Sequence, residues 1–384
     1  MEAYLDNAAT TQCDARVAET VVRVMTEIYG NPSSMHRKGF EAEQYVRNAR
    51  TTFAKLLKAQ EKELFFTSGG TESNNIAVIG AALANQRAGK RILTSSVEHP
   101  SVSQTMDALE GMGFEIVRLP VNEQGMVTPQ VFRDAMTKDT ILASIMMVNN
   151  EIGSVQPVQE LGAICKECQP ACVFHVDAVQ GFGKFRIAPK AMNIDLLSAS
   201  GHKIHGPKGV GLLYVKERTK LRPIVFGGGQ QGGLRPGTEN VPGIAGMALA
   251  AELAYDQLED KQQAMYRLRD EFAKQLSALP GVRVHSPGGR EGAAHIVSAG
   301  FSGIRSEVLL HALEERGIYV SSGSACASNK PGISDTLKSI GLSKEFLDST
   351  LRFSFGVYTT EEQLHYCVEV LSEILPRLSR YARR

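Results

Sequence analysis

Charge of either sign in excess is missing from this chain: 42 lysines and arginines stand against 41 aspartates and glutamates, for a net charge of +1. So even a balance gives no electrostatic reason to bind nucleic acid or an anionic membrane directly. The basic residues are dispersed, apart from Arg377, Arg380, Arg383 and Arg384, which read as a solvated tail. No run approaches the roughly 18 apolar residues that a membrane span requires. The opening MEAYLDNAATT has no charged segment leading into an apolar one, so no signal peptide is expected. Cysteine is also scarce. Six in 384 residues do not make a disulfide framework, and a reducing, cytoplasmic location is expected.

What the chain does have is length and alternation. At 384 residues it should form about two domains. ELFFT at 63–67, RILTS, the stretch 114–119, ILASIMMV, ACVFHVDA and IDLLSAS read as strands, with helix-period segments between them. Thr128 followed by Pro129 marks one helix start. The runs are near-continuously apolar, as in a sheet covered by helices on both faces. The expectation is an α/β fold with a mostly parallel sheet flanked by helices in a large domain. GVGLLYVK closes the series, and its glycines predict a tight approach to a neighbouring strand. Residues 241–279 carry one long helical pattern bridging to a smaller α+β domain built from HIVSAGF, YVSSG, LRFSFG and two helices. The division expected is 15–255 for the large domain, with 1–14 and 256–384 forming the small one.

Chemistry gathers at the strand ends. Lys203, in SGHKIHGPKG, follows an apolar strand, so its amine emerges at the carboxyl edge where open α/β sheets bind ligands. A lysine there can form a Schiff base with pyridoxal phosphate (PLP); an ordinary surface lysine is the alternative. Asp177, in HVDAVQ, ends another buried strand, where it could face the PLP pyridinium or simply cap a helix. Gln180 could reach the ring hydroxyl. TSGGTESNN turns from strand to helix and aims free N–H groups at one point, an anion site to which Gly70 and Thr71 would donate. It lacks the Lys-Ser/Thr ending of a P-loop. His99, in VEHPSV, lies on the same edge and could stack on a ring or move a proton.

TSGGTESNN, VEHPSV, VNNEIGSVQP, HVDAVQ, SGHKIHGPKG, RPGTEN and SSGSAC occur in that order. With them the chain resembles the cysteine desulfurases, class V members of the fold type I PLP enzymes, from LDNAATT at 5–11 to LRFSFG at 351–356. The resemblance implies Lys203 as the PLP lysine, Asp177 as pyridinium partner and His99 as the ring-stacking histidine. It places Asn150 and Gln180 around the substrate and the cofactor hydroxyl, and Gly70, Thr71, Ser200 and His202 on the phosphate. Thr238 would contact the phosphate in the other subunit, implying a homodimer with shared active sites. Arg352 would hold the substrate carboxylate, a task suited to a bidentate guanidinium.

The same resemblance makes Cys326 the nucleophile. As a thiolate it would take sulfur from L-cysteine, leaving a persulfide and L-alanine. Lys203 would move the Cα proton, and His99 is a candidate proton partner for sulfur. The run SSGSACASNKPGIS is rich in small residues, which suits a mobile carrier that delivers sulfur to an acceptor protein. Its continuation departs from the Ser-Leu-Glu-Pro type common in desulfurases dedicated to iron–sulfur scaffolds, so the acceptor is left open between iron–sulfur assembly, thiolation pathways such as that of tRNA, and cofactor synthesis. Alternatives are a selenocysteine lyase, another fold type I enzyme such as an aminotransferase, or a non-enzymatic sulfur-transfer scaffold. Cys165, Cys168 and Cys172 in CKECQPAC look metal-like, but a zinc site would need His175 or a distant group, and no metal is expected. Cys13 and Cys367 read as structural.

Overall fold

In the computed structural model, which describes residues 1–322 and 334–380, the apolar runs assemble into one seven-stranded sheet. Its order is Leu64–Thr67, Gly211–Val215, Leu196–Ser200, Val173–Asp177, Thr140–Met146, Arg91–Ser95 and Glu115–Leu119. Only Gly211–Val215 runs against the others, antiparallel to both neighbours. Successive residues of a strand point to opposite faces, and here both faces are apolar. Leu93, Ala143, Leu197 and Leu212 join one buried cluster. Their neighbours Ile92, Leu142, Leu196 and Leu213 join the other. Helices Gly70–Asn85 and Pro100–Gly111 cover the second face through Ile76, Val102 and Met106. Helices Ala15–Glu27, Arg37–Leu57, Val158–Cys168 and Val241–Tyr255 feed the first.

A second sheet, antiparallel throughout, orders Ser321–Ser322, Thr350–Ser354, Ile296–Phe301 and Val282–Val284. Helices Leu258–Ser277, Ser306–Glu314 and Glu361–Leu378 bury Phe272, Leu309 and Leu371 against it in a separate core. The N-terminal pair Ala3–Tyr4 lies parallel to Ile318–Tyr319.

Gly211–Val215, the last strand of the series along the chain, inserts between Leu64–Thr67 and Leu196–Ser200. The tight approach expected of its glycines is found, since a Cβ on Gly211 would lie 2.6 Å from the Cα of Gly69. The long helical pattern is two helices, ending at Tyr255 and restarting at Leu258, with Gln257 left-handed at φ 49°. The first is apolar around most of its surface and buried against the large sheet's helices, while the second is amphipathic and covers the small sheet. One straight helix could not serve both.

Candidate active site

The large sheet brings its strand ends to one edge. Asp177 is the last residue of its strand, and Lys203 closes the 3-10 turn that follows Leu196–Ser200. Gly70 opens a helix three residues after Thr67, and His99 caps another four residues after Ser95. Together with Thr71, Asn150, Gln180, Ser200, His202 and Arg352 they line one cavity of about 320 Å³. Of the remaining expected site residues, Thr238 is exposed and lies elsewhere, and Cys326 falls outside the described residues. A more apolar cavity of about 300 Å³ lies on the other side of Lys203, walled by residues such as Leu253, Leu258 and Met265. The polar groups that could perform chemistry converge on the first.

Asp177 is buried, with Oδ2 accepting from Asn74 Nδ2 at 2.7 Å and Oδ1 from the Val179 amide at 2.9 Å. The latter closes a turn, not the helix start weighed from sequence, since no helix follows Asp177, and it leaves the carboxylate on the cavity wall. Asn74 also donates to Ser101 Oγ at 2.8 Å, which lies 2.9 Å from His99 Nδ1. Because His99 Nδ1 also accepts the Ser101 amide at 3.1 Å, the neutral imidazole carries its proton on Nε2. Burial pushes His99 below the ordinary histidine value; Asp177 opposes this and Lys203 reinforces it. His202 is lowered to about 4 by burial, then by Lys203, Lys208 and Lys184. Both imidazoles are therefore neutral near pH 7.

Lys203 Nζ donates to the carbonyls of Ala8 and Ala9 at 2.5 and 2.7 Å, and Gln180 Nε2 donates to Ala8 at 2.8 Å. Thr10 Oγ1 meets His202 Nδ1 at 3.2 Å. The segment 5–11 thus straps across the site. Asn74, Ala8 and Ala9 were not singled out from sequence. The motifs LDNAATT and TSGGTESNN that contain them were the available signal, but backbone carbonyls carry no side-chain signature.

The residues present fit PLP. The Gly70–Asn85 helix begins without a side-chain cap, so its first N–H groups face the cavity. A second, more open cavity reaches the same point past Ser200 and His202. A Cβ at Gly70 would meet Val179 Cγ2 at 2.6 Å, so a glycine keeps this cradle clear. Asn74 Oδ1 is buried and has no partner among the described residues. An amine, a buried carboxylate and an anion cradle in one cavity suit the aldehyde, ring nitrogen and phosphate of that cofactor.

Sequence reasoning passed over Glu98, a buried carboxyl beneath His99. Its Oε1 accepts from Ser95 Oγ at 2.5 Å and from the Met146 amide at 2.9 Å, tying two strand ends together. Burial pushes it up to about 8 against the pull of those two donors. The folded state then holds a proton that the unfolded chain releases near 4.5. Its contribution to stability is complete below that value and is lost as pH rises through 8, at up to about 1.4 kcal/mol per pH unit. Glu98→Gln, which mimics the neutral acid, is expected to flatten the fall in thermal midpoint between pH 5 and 8. An unchanged slope would remove Glu98 as its source.

In the CKECQPAC run, Cys165 and Cys172 are buried and Cys168 is exposed. Both nitrogens of His175 are occupied, by Ser144 Oγ at 2.8 Å and Ser198 Oγ at 3.0 Å. Among the described residues no cluster of three or more metal-ligating groups forms.

Comparison with known proteins agrees with this chemistry. The model of the family "Aminotransferase class-V" matches residues 3–367. Over 375 residues the chain is 44% identical to "Cysteine desulfurase IscS" of Methanosarcina thermophila, covering 98% of this chain and 92% of that protein. A solved structure described as a NifS-like protein superposes with a TM-score of 0.93 at 37% identity, covering 98% of this chain and all of that one. Another, described as "SspA in complex with cysteine", gives 0.81 at 34% identity over 93% of this chain and 100% of its own.

Proposed function

The chain belongs to the class-V aminotransferase family, and from that premise we propose that it is a PLP-dependent cysteine desulfurase that converts L-cysteine to L-alanine. Sulfur passes through a persulfide on Cys326 to an acceptor protein of iron–sulfur assembly or thiolation. The observation that carries this reading is the single cavity where Lys203, the buried Asp177 and an uncapped helix start converge.

Lys203 would hold the cofactor, Asp177 would face its ring nitrogen, and His99 would stack on the ring. Gln180 would reach the ring hydroxyl, with Gly70, Thr71, Ser200 and His202 on the phosphate. When bound, PLP supplies an electron sink for bond breaking at the substrate's Cα. Asn150 and Arg352 orient the substrate, Arg352 through its carboxylate. Lys203 Nζ then takes the proton from Cα. His99, neutral with its proton on Nε2, can donate at a sulfur atom. The Cys326 thiolate attacks the substrate sulfur: an S–S bond forms, the Cβ–S bond breaks with its electron pair left on carbon, Cβ takes up the proton that the Cys326 thiol gave up, and the proton held on Lys203 Nζ returns to Cα to complete L-alanine. Electrons and atoms balance without an external oxidant.

The described residues flanking 323–333 support this role. Ser321 pairs with Arg352 itself, and Ser334 donates to Glu151, the neighbour of Asn150, at 2.5 Å.

A homodimer with shared sites belongs to the same proposal. Thr238 is exposed and away from its own chain's cavity. Val22, Met25, Tyr29, Met35 and Phe40 are all more than half exposed within one short stretch, an apolar surface that a second copy would cover. A cytoplasmic location is supported by five free cysteines among the described residues. No helix among those residues is long and apolar enough to cross a membrane.

The test is to incubate the holoenzyme with L-cysteine, quantify alanine and sulfide, and map a persulfide-specific label by mass spectrometry. Alanine matched by label on Cys326 is expected. Label on another cysteine would reassign the nucleophile, and 3-mercaptopyruvate in place of alanine would indicate an aminotransferase.

A further inference from the structure

Arg352 is held from two sides. Its Nη1 donates to the Asn150 carbonyl at 2.9 Å and its Nη2 to Asp6 Oδ1 at 2.7 Å. The arginine side chain is 4% exposed and that of Asp6 22%. A guanidinium this deeply buried needs a counter-charge to remain in place, and Asp6 is the carboxylate in contact with it. The third donor, Nε, is buried and finds no acceptor among the described residues. Buried N–H groups are nearly always paired, so an orphan on the wall of a polar cavity marks a position for an incoming acceptor.

Asp6 is itself fixed to the strand that carries Arg352. It bridges to Ser354, two residues further on. Asn7 Nδ2 donates to the Ser354 carbonyl at 3.0 Å, and Ser354 Oγ accepts from the Ala8 amide at 2.8 Å. The carboxylate and the guanidinium are thus referenced to one piece of backbone.

We propose that Asp6 is a positioning residue for α-carboxylate recognition. With the Asn150 carbonyl it fixes the guanidinium plane, so that the unengaged Nε is presented to the carboxylate of the amino-acid substrate. The proposal rests on the reading of Arg352 as the carboxylate-binding residue and goes beyond it by assigning Asp6.

Two effects of Asp6 oppose one another. Its charge repels an incoming carboxylate, but it also keeps Arg352 from turning elsewhere. The competing acceptor is present: Glu151, half-buried and held by Ser334, feels the Arg352 charge. Without Asp6 the guanidinium swings toward Glu151, and the loss of preorganisation outweighs the relieved repulsion. Removing Asp6 therefore weakens carboxylate binding and leaves the chemistry at Cα untouched.

The test titrates the holoenzyme, followed by visible absorbance, with L-alanine and with ethylamine, an amine that lacks the carboxylate. Asp6→Asn, close to isosteric, and Asp6→Ala should each weaken L-alanine binding about tenfold, the scale of one charge-assisted hydrogen bond. Ethylamine affinity should be unchanged, and KM for L-cysteine should rise by a similar factor at nearly constant kcat. A merely structural Asp6 would weaken both amines together, and that result overturns the proposal, as does unaltered or tighter alanine binding. Arg352→Ala separates the two layers. If it keeps the preference for alanine over ethylamine, the reading of Arg352 falls and this proposal with it. If it loses the preference while Asp6→Asn keeps it, the positioning role alone is overturned.

Discussion

Lys203→Ala is expected to remove the visible absorbance of the lysine-bound cofactor and to lower L-cysteine turnover by at least about a hundredfold, the usual worth of a positioned proton-transfer group. Two functions disappear together, covalent attachment and removal of the Cα proton. The structure also shows why no neighbour would rescue them. Lys184 is the nearest substitute by chemistry, and burial followed by repulsion from Lys203 lowers it to about 7. Its Nζ, however, donates to the Lys203 carbonyl at 2.9 Å and lines the apolar cavity instead of the polar one. An unchanged spectrum in Lys203→Ala would refute the assignment of the lysine. An unchanged rate would refute its role as base.

Cys326→Ser should separate the two halves of the reaction. The cofactor spectrum and the response to L-alanine should match the wild-type protein, because the groups proposed for binding lie elsewhere in the chain. Sulfur transfer from L-cysteine should fall by about a hundredfold or more, since a serine hydroxyl at neutral pH is a far weaker nucleophile than a thiolate. Alanine and sulfide, measured together under reducing conditions, decide it. Sulfide release equal to wild type would exclude a persulfide on Cys326.

Much of the fold was legible because its signals are local. Val173–Asp177 and Leu196–Ser200 are buried at every residue, as their unbroken apolar runs implied, and strand-to-helix junctions put Gly70, His99, Asp177 and Lys203 on one edge. What escaped was non-local. Gly211–Val215 pairs with Leu64–Thr67 across some 147 residues (Leu64 with Tyr214 through Thr67 with Gly211), and nothing in either strand states that partnership. The break at Gln257 follows from the need of two helices to face different cores. Asp6, Ala8 and Ala9 act through a single contact or through backbone carbonyls, neither of which leaves a pattern in composition or period. Glu98 went unread because its burial depends on the Met146 strand end, far from it in the chain.

The strap at residues 5–11 has a consequence for synthesis. It is made before every other part of the site, yet Asn7 Nδ2 bonds to a carbonyl 347 residues later in the chain. At roughly 5–20 residues per second, the ribosome needs about 20 to 70 s to deliver that partner. The large sheet is complete by Val215 and can form in the meantime. Ala8 and Ala9, which hold Lys203, cannot be locked in place until Ser354 emerges. A nascent chain can therefore own nearly every side chain of the polar cavity and still lack a finished site.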